Sequence, residues 1–567
     1  MEKIIQKIIQ LVKKNKTALL LSLLGFIFLF SFNFDWPFIT GDDIAYLRYF
    51  EGESWLSSRW DMARPANQIF YESVHFFAEN NSFWYYFVKD LFFFVFLFFF
   101  YKITELLMGK KQWAVLATLF VMFVYPIAFG YTWLSESRAF STTFTVLCFW
   151  YFIQYYKNGE NFSFKKKSWY TFFIIALFFV AASFNQTARF IPFILTLFLC
   201  FEWFVNKKSI RALLPFIIVV FFGFIMFVII WVTFNVAVNY SLSFGIQPYL
   251  YFWSLIWWHA KYLFYLIVIL SIINLLFYKN IFKGCIDLLQ RDKNVSSIFL
   301  LVISWFLVTV GYSGLYGNLI SESRYALPLF VPFTIVLFLI IFKLQENLTF
   351  SFLKKITIII VLIIILSVAM FTVNTFLTFG NQNIAFNDAR VYLNYIDTDA
   401  VIIYQSGTDD IWDYGSTNTF IRPGFYLQAI LNTIEENKNK TIYLVEYPEP
   451  WLSTIGEVPD KEHIQTIAYW PIELQIYVYT GNKPFDSNKE YSYHPYTGVK
   501  PFYYTYIDEE KTEKIFSERI VLGKDRIVIV VHNYFLRTVL HPITKLKIKG
   551  RTIILLKEYS DINKQLK

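Results

Sequence analysis

Eleven apolar stretches of 16 to 24 residues follow one another through the first two thirds of the chain (17–34, 84–107, 113–132, 139–156, 169–184, 190–205, 213–236, 259–278, 298–317, 325–342 and 356–378). A helix needs about 20 apolar residues to cross a bilayer, and in lipid the backbone is satisfied only within helices or closed barrels. Continuous runs of this length predict helices. Only 16% of the residues are charged, against roughly 25% in a soluble domain. The chain therefore reads as a polytopic α-helical membrane protein with about eleven transmembrane helices. Its net charge of +9 does not imply a nucleic-acid partner, because the basic residues sit in short clusters between spans and form no single patch.

Those clusters set an orientation. Lys3, Lys7, Lys13, Lys14 and Lys16, then Lys110 and Lys111, Lys157 with Lys165, Lys166 and Lys167, Lys207, Lys208 and Arg211, Lys279, Lys283, Arg291 and Lys293, and finally Lys354 and Lys355 fall on one side of the alternating spans. That side is expected to be cytoplasmic. The run 17–34 is longer than the apolar region of about 7–15 residues in a signal peptide and lacks a small-residue cleavage site, which predicts an uncleaved first helix. The expected location is the plasma (inner) membrane, with the N-terminus in the cytoplasm. On the other side, the first outer loop, 35–83, carries Asp35, Asp42, Asp43, Glu51, Glu53, Asp61, Glu72 and Glu79 against Arg48, Arg59 and Arg64.

An odd number of spans puts the polar segment 379–567 outside as well. The expected domains are thus a transmembrane domain, 1–378, and an extracytoplasmic α/β domain, 379–567, suited to covering a site or holding an acceptor. Within the latter, 387–396 and 425–437 read as helices, and 400–405, 441–447, 472–480 and 526–532 as strands. The aromatic segment 237–258 reads as interfacial or re-entrant.

An ionisable side chain in or near the bilayer is costly without a partner or access to water, so charges at span ends are functional candidates. The outer ends hold Asp42 and Asp43, Glu136 and Arg138, Arg189, and Glu322 and Arg324. Guanidinium forks match phosphate oxygens, so such a set suits a lipid carrying a phosphate or diphosphate. One of the paired aspartates can take the proton of an acceptor hydroxyl during attack on a sugar's anomeric carbon. Residues adjacent in a helix point about 100° apart, so a single carboxylate faces the reaction, with Asp42 expected as base and Asp43 second. Two plainer readings compete: Asp42 as N-cap of a helix over 44–50, and the arginines as side chains reaching out to interfacial water. Six scattered histidines and the three cysteines, Cys148, Cys200 and Cys285, form neither a metal-ligand pattern nor a disulfide framework. No metal and no cofactor are expected, a divalent cation at the aspartate pair being the one such site conceivable.

The stretch Gly41-Asp42-Asp43-Ile44-Ala45-Tyr46-Leu47-Arg48, with Glu51-Gly52-Glu53-Ser54-Trp55 after it, resembles the start of the first extracytoplasmic loop in the GT-C glycosyltransferases. These polytopic enzymes include protein mannosyltransferases and the lipid A aminoarabinose transferase. Arg64-Pro65-Ala66-Asn67 looks like the basic residue and proline that follow in that loop, and Ser323-Arg324-Tyr325-Ala326-Leu327-Pro328 is similar to the family's late Arg-Tyr-x-x-Pro. The resemblance implies a catalytic role for Asp42 with Asp43, a polyprenyl-phosphate sugar as donor, and an inverting transfer without metal. It makes Arg64 and Arg324 candidates for the donor phosphate; together with the charges of the first outer loop and the outer span ends, the candidate substrate-binding residues are Arg48, Arg59, Arg64, Glu136, Arg138, Arg189, Glu322, Arg324 and Tyr325. The expected activity is transfer of a sugar to an extracytoplasmic glycan, lipid or protein of the cell envelope. The alternatives are an envelope polysaccharide polymerase or ligase using a diphosphate-linked lipid, a lipid-linked glycan transporter or flippase, and a non-catalytic scaffold.

Overall fold

The computed structural model describes residues 10, 12–33, 65–78, 82–132, 137–234, 246–278, 293–313, 326–396 and nine short strands between 401 and 556. Thirteen α-helices are described: α1 (Lys16–Asn33), α2 (Pro65–Ala78), α3 (Ser82–Met108), α4 (Lys111–Phe123), α5 (Tyr125–Thr132), α6 (Ser137–Asn158), α7 (Phe164–Phe184), α8 (Ile191–Phe204), α9 (Ile210–Phe234), α10 (Ile246–Tyr278), α11 (Lys293–Ser313), α12 (Leu327–Glu346) and α13 (Ser351–Ile396). By length and apolarity, eight of them can cross a membrane, and the bent pair α4–α5 makes a ninth. The protein is thus a polytopic helical membrane protein. The two other expected spans, 139–156 and 298–317, fall on α6 and α11. The first is rich in Ser and Thr, and the described apolar part of the second, Val295–Gly311, is shorter than a full crossing.

Three features depart from the sequence reading. Loop 35–83 contains a helix, α2, which opens on Pro65 as first-turn prolines do. Asn67, Tyr71 and Ala78 are buried on one face, while Phe76 and Phe77 are more than 80% exposed. Its 14 residues span about 21 Å at 1.5 Å each, too short to cross, so it is an amphipathic helix of the kind that lies at an interface. Secondly, residues 246–258 of the aromatic segment are not separate from the next span. α10 starts at Ile246 and runs for 33 residues. Thirdly, the expected helix 387–396 is the end of α13, a single helix of 46 residues.

The α4–α5 pair is bent by 55° at Val124. Pro126 has no N–H to return to the preceding turn, and Val124 is extended (φ −69°, ψ 124°). The N–H groups of Ile127 and Ala128 then both donate to Val124 O, at 3.0 and 3.1 Å. This leaves the Phe123 carbonyl without its helical donor, and the hydroxyl of Thr372 on α13 supplies one at 2.6 Å. A break in an apolar bundle is tolerated on that condition. The imidazole of His259 on α10 packs beside the break, about 6 Å from the rings of Tyr125, Phe330 and Phe371.

Helix packing is largely aromatic. Trp113 and Phe120 of α4 meet Phe338 and Phe342 of α12, and Phe149 of α6 meets Trp305 of α11 edge-on. Glycine matters where helices come closest: a Cβ on Gly130 of α5 would collide with the Leu327 side chain of α12, and one on Gly25 of α1 with Leu97 of α3. Gly130→Val is therefore expected to lower stability by about 1–3 kcal/mol through overpacking, read as a lower thermal midpoint of the purified protein; an unchanged midpoint would mean that α12 yields.

Contacts divide the chain into two units, one of 1–30, 54–79 and 84–372, the other of 31–53, 80–83 and 373–567. The second holds a six-stranded sheet of spatial order β3 (Phe420–Ile421), β2 (Ile411–Asp413), β1 (Val401–Gln405), β4 (Ile442–Glu446), β5 (Gln475–Tyr479) and β6 (Ile507–Asp508), and a three-stranded sheet of order β7 (Arg526–Val530), β9 (Arg551–Leu556) and β8 (Lys547–Ile548). β1 (Val401–Gln405), β4 (Ile442–Glu446), β5 (Gln475–Tyr479) and β7 (Arg526–Val530) fall on the four segments read as strands. β1 pairs parallel with β4 in register Val401 to Ile442, and β7 parallel with β9 (Arg551–Leu556), while the other pairings are antiparallel. A parallel pair needs a crossover; the expected helix 425–437 between β1 and β4 lies outside the described residues.

Candidate site at one end of the helical unit

The start of α6, the end of α7 and the start of α8 meet at one end of the helical unit. Asn185 organises the junction. It ends α7 in an extended conformation (φ −154°, ψ 146°), and its Oδ1 accepts from Thr187 N–H at 3.1 Å, capping a 3₁₀ helix over Gln186–Phe190. Its Nδ2 donates at 2.9 Å to Ser137 Oγ, the first residue of α6. One side chain thus fixes the turn that carries Arg189 against the helix end that carries Arg138. Tyr131, at the end of α5, holds the other side of α6: its hydroxyl donates to Ala139 O at 3.0 Å and pairs with Thr143 Oγ1 at 2.6 Å.

Both arginines are inside. Arg189 is 1% and Arg138 8% exposed, which removes the reading that they reach out to interfacial water. A buried guanidinium must be met by hydrogen-bonding or anionic groups. The structure adds two charges that the sequence reading passed over, Lys89 and Asp90 in the third turn of α3, both wholly buried. The Lys89 ammonium lies 5.3 Å from the centroid of Phe140, two residues after Arg138, a cation–π contact strengthened by the absence of water. Phe140 is itself packed by Phe70 of α2, Phe92 of α3 and Phe184 of α7, at 4.4, 4.9 and 5.1 Å. Beside it, His75 Nδ1 and the Tyr85 hydroxyl are 3.2 Å apart. Three buried cations, Lys89, Arg138 and Arg189, are thus carried on elements that pack together here, α3, α6 and the 3₁₀ turn, with the buried Asp90 next to Lys89 in the chain. The signal in the sequence was a Lys-Asp pair early in the run 84–107, whose other charges, Lys102 and Glu105, fall near its far end.

Asp42, Asp43, Arg48, Arg59, Arg64, Glu136, Glu322, Arg324 and Tyr325 lie outside the described residues, as does the proposed capping helix 44–50. Among the described residues no three His, Cys, Asp or Glu side chains gather as metal ligands.

The opposite end is built differently. There Glu202 of α8 is buried and accepts from the Tyr156 hydroxyl, from Asn206 Nδ2 at 2.8 Å and from Lys208 Nζ at 3.4 Å, while Asn206 Oδ1 takes the Ser296 hydroxyl of α11. Lys110 and Lys343 both reach Glu346, at 2.9 and 2.7 Å. These are clasps between helix ends, each carboxylate saturated by its donors.

No protein-family model and no curated protein sequence matches the chain. Among solved structures, it resembles the crystal structure of ArnT from Cupriavidus metallidurans bound to undecaprenyl phosphate, over 79% of this chain and 95% of that one, with 9% sequence identity and a TM-score of 0.45.

Proposed function

We propose that the protein is a membrane glycosyltransferase that moves one sugar from a polyprenyl-phosphate carrier to an acceptor on the extracytoplasmic side, with inversion at the anomeric carbon. The observation that carries the reading is the concentration of Lys89, Arg138 and Arg189, all buried, at one end of the helical unit. Cations so placed suit a phosphate that enters from the lipid and gains charge as its sugar departs. In the reaction, the acceptor oxygen attacks the anomeric carbon while Asp42 takes its proton. The bond from that carbon to the phosphate oxygen breaks, and its electron pair leaves with the carrier phosphate. The arginines and Lys89 stabilise that charge; the carrier's isoprenoid chain needs only apolar helix faces, at about 25 cal/mol per Å².

A second reading, movement of a lipid-linked glycan across the membrane, has one observation in its favour. The α4–α5 break beside the buried His259 is the kind of discontinuity transporters place near the bilayer midplane. Purified protein in vesicles, given a polyprenyl-phosphate sugar and envelope acceptors, distinguishes the two. Transfer predicts a product longer by one sugar, and envelope glycans lacking that sugar in cells without the gene. Carrier that changes leaflet with its sugar still attached would replace transfer by transport.

A further inference from the structure

We propose that the lysine-rich end of α6, α7 and α9 is a binding surface for anionic phospholipid headgroups. Six basic side chains belong to it: Lys157 in the last turn of α6, Lys165, Lys166 and Lys167 in the first turn of α7, and Lys207 and Arg211 around the start of α9. A shared aromatic core joins these helix ends. The ring of Tyr155 lies 6.5 Å from Phe162, 5.9 Å from Tyr170 and 5.0 Å from Phe216.

Part of the basic charge at this end of the unit is matched, and what sets this surface apart is the number of exposed basic side chains gathered on three neighbouring helix ends. Lys102 is matched by Glu105, Lys110 and Lys343 by Glu346, and Lys208 by Glu202. Among the described residues none of the six has a carboxylate partner, and all but Lys167 are exposed. The nearby carboxylate Glu202 is consumed by Tyr156, Asn206 and Lys208. Four of the six stand where a lysine is unfavourable in isolation. Three lysines stand in the first turn of α7, where the helix dipole is already positive, and Lys207 takes a left-handed backbone (φ 51°) that a glycine would adopt without strain. An anion docked here would offset both.

The flanks say what kind of anion. Trp169, Trp203 and Phe204 are about half exposed or more, beside the lysines, as aromatic side chains at headgroup depth are. Further along α7 and α9, Phe172, Ile217 and Phe221 present bare apolar surface. Phosphate at the lysines with acyl chains along these faces describes an anionic phospholipid, and a free anion would use only the first half of the surface. The inference is independent of the sugar-transfer reading.

The test is native mass spectrometry of the purified full chain with phosphatidylglycerol or phosphatidylcholine. A basic residue near an anionic lipid surface contributes about fivefold in binding. The triple variant Lys165→Gln, Lys166→Gln, Lys167→Gln is therefore expected to lose at least about tenfold in retained phosphatidylglycerol, with phosphatidylcholine unchanged. The same three positions as arginine should retain it, and so should Lys13→Gln, Lys14→Gln, Lys16→Gln, which removes three exposed lysines at and just before the start of α1. Equal loss from the α1 variant would overturn a local surface, as would a wild-type protein without preference for phosphatidylglycerol. Displacement of the lipid by excess inorganic phosphate would overturn the lipid as its ligand.

Discussion

Asp42→Asn is expected to slow sugar transfer about a thousandfold, within the 10²–10⁴ range that a positioned general base supplies, while carrier binding and folding stay unchanged. An alcohol is a poor nucleophile until its proton leaves, and the proton has to leave as the new glycosidic bond forms. Asparagine keeps the size of the side chain and one hydrogen bond to the hydroxyl, but it has no lone pair basic enough to take that proton. The loss should therefore appear in kcat, with KM for the polyprenyl-phosphate sugar unaltered, the pattern of an interaction made only in the transition state. Asp43→Asn should have a much smaller effect, since adjacent residues of a helix diverge by about 100°. Equal losses at both positions would mean that the pair acts jointly, and wild-type turnover in Asp42→Asn would remove the base from that residue.

How far such a molecule can be read from its sequence depends on where each signal is stored. Helices such as α3 and α7 carry theirs locally: the expected runs 84–107 and 169–184 sit inside Ser82–Met108 and Phe164–Phe184 because length and apolarity alone specify them. The helix α2 was equally local, with Asn67, Tyr71 and Ala78 at helical spacing, but a loop rich in carboxylates hid its period. The break at Val124 is different in kind. Pro126 marks it in the sequence, whereas the group that makes it tolerable, Thr372, is 249 positions away and is found only by folding. The same division runs through the site. Charges at span ends pointed to Arg138 and Arg189, but their burial depends on Asn185 and Ser137 meeting across 48 residues. Lys89 and Asp90 escaped because the surrounding phenylalanines make an apolar span whatever those two positions hold, and a span-finding reading averages over the two residues that lipid tolerates least.

Arg189 is where burial and proposed chemistry make the firmest joint demand. Arg189→Gln is expected to weaken binding of a polyprenyl phosphate by about 30-fold or more, since removing one partner from a buried charge pair costs roughly 2–5 kcal/mol. Arg189→Lys should recover part of this, because an ammonium keeps the charge but lacks the planar fork that meets two phosphate oxygens at once. The turn itself should survive: it is capped by the Asn185 side chain, which is anchored on the Ser137 hydroxyl, and the substitution touches neither. A purely structural arginine makes the opposite prediction. Its loss would lower the thermal midpoint in the absence of carrier and leave the Kd of the folded fraction where it was, whereas a phosphate ligand lost would reduce the stabilisation that added carrier confers, by the same factor as the Kd rises. Measuring the midpoint with and without undecaprenyl phosphate in wild type, Arg189→Gln and Arg189→Lys separates the two, and a carrier-induced shift equal in all three would exclude Arg189 from the headgroup site.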